Sequence, residues 1–99
     1  MSPTQVAVLH AVADGAVYGF DVIDRTGLPS GTVYPALSRL ERDGYLRSSW
    51  ESEPDAFAAG RPARRYYRVT AAGTRSLRES VEAYRALLPL HPARARSGS

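Results

Sequence analysis

Four arginines, Arg61, Arg64, Arg65 and Arg68, crowd into residues 61–68 with no acid among them, whereas residues 1–29 hold Arg25 against Asp14, Asp21 and Asp24. Guanidinium groups gathered on one element are the electrostatic footprint of a surface that holds phosphate. A second set lies just upstream: Ser30, Thr32, Tyr34, Pro35, Ser38 and Arg39. Their hydroxyls can bond to bases or phosphates, the proline ring can touch a thymine methyl, and Arg39 can fork onto guanine. Tyr34 suits a phosphate oxygen, with partial packing in the core as its alternative. Arg42 serves as a contact or as part of a solvated helix face equally well. The chemistry offered is recognition of a nucleic acid.

Composition narrows the field. In 99 residues there is room for one domain with a modest core. All 13 cations are arginine, a usage that GC-rich coding also produces, so their distribution says more than their number. Cysteine is absent, which excludes a disulfide framework and any thiolate site. His10 and His91 have no sequence-local metal partner, and Gly31 and Gly44 punctuate helices rather than build a phosphate loop. No enzyme, cofactor or metal is expected. Neither a membrane-spanning run nor a secretion signal is legible, so the expectation is a cytoplasmic protein with no membrane partner.

These residues need elements to hold them. Ser2-Pro3-Thr4-Gln5 has the form of a capping box, with proline where its missing N–H is harmless. It predicts a helix over 3–13 that buries Val6, Leu9, Val12 and Ala13. A second helix over 18–26 draws apolar surface from Phe20, Val22 and Ile23 and closes at Gly27. Ser30 is expected to cap a third helix reaching Asp43, with Val33, Ala36, Leu37 and Leu40 facing the core. The phosphate- and base-seeking residues then lie on the opposite side, and Pro35 removes one backbone bond near the first turn. Ser30 and the open N–H groups beside it form an anion site at the helix start.

Residues 45–50 and 64–69 alternate as strands do. Leu46 shares a face with Trp50, and Tyr67 with Val69; Trp50 is expected in the core. The segment 51–63 holds Gly60 and two prolines without periodicity, and reads as a long hairpin loop, mobile at its tip. Arg61 is expected to project at that tip, to enter a minor groove or clasp the backbone, together with one of Arg64 or Arg65. Arg68 is assigned a structural or surface role. Thr70 caps a fourth helix to about residue 88. Leu77, Val81, Tyr84 and Leu88 form a narrow stripe on it, the seam of a homodimer rather than a broad buried face.

The order helix, helix, turn, helix, strand, loop, strand, helix is that of a winged helix-turn-helix: mainly α with a small β-hairpin wing (α+β). Residues 1–69 form the DNA-binding domain, 70–88 a dimerisation helix, and 89–99 a disordered tail. Tyr18-Gly19-Phe20, the segments SGTVYPAL at 30–37 and RLERDGYL at 39–46, and GRPARRYYRVT at 60–70 together resemble the PadR family of bacterial transcriptional regulators. The resemblance covers about residues 5–75. It implies a homodimer, usually a repressor, on a palindromic double-stranded DNA operator, released in some members by a small-molecule effector. It also implies DNA contacts at Tyr18, Ser30, Thr32, Tyr34, Pro35, Arg39 and the wing around Arg61. Many members carry several helices after the wing, whereas residues 70–88 and a short tail follow it here. The rival is a winged helix turned to protein binding, which calls for an apolar anchor on the outer side of the third helix.

Overall fold

The computed structural model describes residues 1–88, so the expected tail at 89–99 lies outside the described residues. Five helices and one hairpin follow in the order α1 (Pro3–Ala13), α2 (Gly19–Thr26), α3 (Ser30–Arg42), β1 (Leu46–Trp50), α4 (Glu53–Ala58), β2 (Arg65–Val69) and α5 (Ala71–Leu87). Apart from α4, this is the winged helix-turn-helix expected from the sequence.

The capping box of α1 forms as read: the Gln5 N–H donates to Ser2 Oγ at 3.2 Å, and the Ser2 N–H donates to Gln5 Oε1 at 3.0 Å. Its buried arc is Val8, Leu9, Ala11 and Val12. Val6 is only half-buried and Ala13 is exposed, a correction to the expected face. The cause is crowding: α2, α3, α5 and β2 all pack against α1. That wide contact centres the arc between Val8 and Val12, and at 100° per residue Val6 and Ala13 fall beyond its edge.

Helix α2 ends as glycine chemistry dictates. Gly27 adopts φ 74°, and its N–H donates to the Ile23 carbonyl at 2.8 Å. Helix α3 begins differently from expectation. Pro29, not Ser30, is the N-cap; its extended backbone turns the chain in, and its carbonyl accepts from the N–H groups of Thr32 and Val33. No side chain caps this end, so the first N–H groups of the helix remain open. Pro35 sits inside α3 without breaking it, and Val33, Ala36, Leu37 and Leu40 are buried as the helical pattern required. They join Leu9, Val12, Val22, Leu46 and Tyr67 in one core, with Leu28, Tyr45 and Val69 packed at its margin.

Strands β1 and β2 pair antiparallel, with Leu46 opposite Val69, Ser48 opposite Tyr67 and Trp50 opposite Arg65. Residues 17 and 18 are tied to the same sheet. The Tyr67 N–H donates to the Val17 carbonyl at 2.8 Å, and Tyr18 bridges to Tyr66. The expected bare loop between the strands instead holds α4, a six-residue helix capped by Ser52, whose Oγ accepts from the Asp55 N–H. Proline there starts a helix rather than preventing one, because it falls in the first turn, where no N–H is required.

The Thr70 hydroxyl seats α5, accepting from the Gly73 N–H and donating to the Gly44 carbonyl at 2.7 Å. Leu77 packs on the core of its own chain. The apolar stripe on α5 is therefore divided: its first residue is spent within the domain, Val81 is half-buried, and Tyr84 and Leu88 are exposed. Among the described residues no helix is long and apolar enough to cross a membrane.

Candidate nucleic-acid interface

The outer side of α3 is largely uncovered by the other described residues. Ser30, Gly31, Tyr34, Pro35, Ser38, Arg39 and Arg42 are all exposed, and Thr32 is half-buried. Its turns toward the N-terminus present two hydroxyls, a phenol and a small apolar ring beside open backbone N–H groups, an arrangement suited to an anion or a base edge. Tyr34 is 46% exposed, and its ring lies against the backbone of Gly19 at the start of α2. It is neither a core residue nor a free one. Arg39 Nε lies 3.5 Å from Asp43 one turn on, both side chains being well exposed. Such a pair holds its arginine weakly and yields it readily to a stronger anion.

The wing differs from its expected form. Arg61 does not project from the tip. It folds back on Glu51 in a two-pronged pair, Nη2 donating to Oε2 at 2.8 Å and Nη1 to Oε1. Glu51 Oε1 also accepts the Arg64 N–H at 3.1 Å, and Arg64 Nη2 stands 3.6 Å from Oε2. The Arg61 hydrogen bond, with help from Arg64, holds the Glu51 carboxyl at about 2 against partial desolvation. The same pair pushes Arg61 above its ordinary value. The tip belongs to α4, which carries Glu53, Asp55 and a Phe57 that is 87% exposed. An acidic tip is the reverse of the basic one expected, and sequence reasoning missed it because Glu51 and Arg61 are ten residues apart, with nothing local to couple them.

Arg64 and Arg65 take separate partners. The Arg64 guanidinium lies 3.7 Å over the Tyr18 ring and 5.6 Å from that of Phe20, the two rings being stacked. Its Nε is buried without a hydrogen-bond partner. Arg65 Nε donates to Ser48 Oγ at 2.9 Å, and Ser48 donates in turn to Glu41 Oε2 at 2.6 Å. Glu41 stands on α3, so this chain of contacts fixes the angle between hairpin and helix. Tyr67 is buried between them, and that burial raises its phenol pKa.

Trp50 is the second miss. It is 64% exposed rather than in the core. The register does place it on the face of Leu46, but that face outruns the core by one residue pair. Together Tyr18, Phe20, Tyr34, Trp50, Arg64 and Arg65 line a cleft between the hairpin and the starts of α2 and α3. Of the expected contact residues the cleft gathers Tyr18, Tyr34, Arg64 and Arg65; Ser30, Thr32, Pro35, Ser38 and Arg39 lie along α3 outside it, and Arg61 is paired with Glu51.

Comparison with known proteins agrees with this architecture. The Transcriptional regulator PadR-like family matches residues 8–79. Transcriptional regulator Rv3488 of Mycobacterium tuberculosis is 41% identical over 81 residues, which cover 77% of this chain and 70% of that protein. A PadR family transcription regulator from Clostridium difficile superposes with a TM-score of 0.75 at 21% identity, over 87% of this chain and 91% of that one. A PadR-like transcription factor from Bacteroides fragilis gives 0.71 at 25% identity, over 84% and 81%. The chain belongs to the PadR-like family of transcriptional regulators.

Proposed function

We propose that this regulator binds a palindromic DNA operator as a homodimer and represses transcription from it. The observation that carries the reading is the division of α3. Its aliphatic residues are all buried, while its outer side offers Ser30, Thr32, Tyr34, Pro35, Ser38 and Arg39 to a major groove. Arg64 and Arg65 then stand near the flanking phosphates, and Arg61 braces the wing from behind. No enzymatic activity and no small-molecule effector are assigned, and a DNA partner places the protein in the cytoplasm.

A homodimer is supported by what α1 and α5 leave uncovered. Helix α1 shows Pro3, Ala7 and His10 on its outer side, and α5 shows Tyr84, Leu87 and Leu88, with Leu87 73% exposed. Val81 extends that strip, and Leu77 anchors it to the domain. The proposed interface is α5 of one protomer against α5 and α1 of its partner. Replacing Tyr84 and Leu87 together by glutamate should leave a folded monomer in sedimentation. An unchanged dimer would remove this interface.

Selection from random-sequence DNA at two salt concentrations tests the function. Enrichment of an inverted repeat with half-sites about one helical turn apart supports it. Weak, salt-sensitive binding with no enriched sequence would favour the rival, a winged helix that binds protein. For that rival the exposed Phe57 on the acidic wing helix supplies the apolar anchor that α3 lacks.

A further inference from the structure

The hairpin face that begins at Leu46 in the core and passes Ser48 at Glu41 ends at Trp50, in solvent. An uncovered indole beside a basic cleft asks for a partner. Trp50 lines the cleft with Tyr18, Phe20, Tyr34, Arg64 and Arg65. The Arg65 guanidinium lies 5.6 Å from the centre of the Trp50 ring, and Arg64 covers Tyr18 at 3.7 Å. Flat rings thus alternate with cations along the walls. The other exposed ring of the wing, Phe57, has Glu53 and Asp55 on its own short helix and lines a separate depression.

A ligand that matches alternating rings and guanidinium groups must itself alternate flat, weakly polar faces with negative charge. The backbone of a duplex strand does so, its deoxyribose rings alternating with phosphates, and contacts to it are independent of sequence. The cleft opens beside Tyr34, on the part of α3 assigned to the major groove. We propose that it seats one strand of the duplex where that strand leaves the groove, Trp50 packing on a sugar or base edge and Arg65 meeting the adjacent phosphate. Among the described residues the Arg65 guanidinium has Ser48 and, at 3.5 Å, Glu41 as its polar partners, in a pair open enough to exchange. This rests on the DNA-binding reading and adds to it a contact outside α3, one that supplies affinity without reading sequence.

The chain has a single tryptophan, so its fluorescence reports on this cleft alone. The full chain is titrated with a labelled mixed-sequence duplex of about two helical turns at low salt, following DNA anisotropy and Trp50 emission together. Bound duplex should change the emission and shield Trp50 from acrylamide. Trp50→Ala should weaken binding about tenfold with the salt slope unchanged, and Trp50→Phe should restore most of the loss. Arg65→Ala should instead lower the slope by about one. If the duplex binds while Trp50 emission and acrylamide access stay unmoved, or if Trp50→Ala binds like the wild type, the cleft is not a strand seat and the reading of α3 survives. Absence of binding by either signal overturns the DNA reading and the seat with it.

Discussion

The ring of Tyr34 occupies the space that a side chain on Gly19 would need. A Cβ at residue 19 would lie 2.7 Å from Tyr34 Oη and 2.8 Å from its Cζ, well inside van der Waals contact. The start of α2 and the third residue after Gly31 on α3 are thereby set against each other by the smallest possible spacer. Because Tyr34 is about half exposed and the obstacle is the far end of a flexible side chain, it can swing away rather than force the helices apart. Gly19→Ala should therefore cost less than about 1 kcal/mol of stability, alanine being the better helix former. The same change should weaken DNA binding several-fold by displacing the phenol. A thermal melt beside an anisotropy titration separates the two effects. A large drop in melting temperature would show that Tyr34 is locked in place.

Gly73 makes the opposite case. A Cβ there would fall on the Tyr45 carbonyl and 2.9 Å from Val69 Cγ1. That carbonyl also accepts the Thr70 N–H at 3.1 Å, so the obstacle is backbone fixed by its own bond and cannot rotate aside. Gly73→Ala should cost about 1–3 kcal/mol through overpacking, read as a lower midpoint in denaturant. At equal protein folded, it should leave the affinity of α3 for DNA intact. The two glycines thus predict two separable defects from one chemical change.

Much of this frame is legible in the sequence. The capping box at Ser2 and Gln5 and the buried set Val33, Ala36, Leu37 and Leu40 follow from local bonding and from helical period, which neighbours in sequence determine. What was missed depends on residues far apart. Nothing near Arg61 announces that it will bind Glu51, and nothing near Trp50 states where the core ends. Helix α4 had its signals, Ser52 as cap, Pro54 in the first turn and Glu53 and Asp55 at the positive end of the dipole. With only six residues and no apolar repeat, they read as a loop. Ser30 lost the cap because Pro29, already held at the right φ, takes that position first.

Arg39 is the residue on α3 best suited to read a base. It stands toward the C-terminal half of the outer face, held only by an exposed pair with Asp43 at 3.5 Å. Arg39→Ala should cost about 1–3 kcal/mol of binding free energy and relax the preference at one base position in each half-site. Folding stability should barely change, since the lost pair is solvated. A repeat of the random-sequence selection with the variant checks this. An unchanged consensus would move base reading to other residues of α3.

Glu51 governs the wing, and its protonation gives that role a pH signature. The carboxyl is drawn down from 4.5 to about 2, chiefly by its hydrogen bond from Arg61. A carboxylate depressed on folding stabilises the folded form fully above its unfolded pKa, and that contribution is lost as the pH falls through the folded value. The Arg61 fork should therefore hold above pH 4.5 and open as the pH drops toward 2. The protection of amides in residues 51–64, taken relative to intrinsic exchange at each pH, should fall across that interval and stay flat above it. Glu51→Gln should show faster exchange already at neutral pH and lose the acid-dependent step. The same variant leaves Arg61 and Arg64 without their carboxylate, free to neutralise phosphates. Its nonspecific DNA affinity should increase, and the slope of log affinity against log salt should steepen by about 0.9 for each arginine that reaches a phosphate. If exchange rises but the slope does not, Glu51 is a brace for the hairpin and Arg61 lies out of reach of DNA even when released.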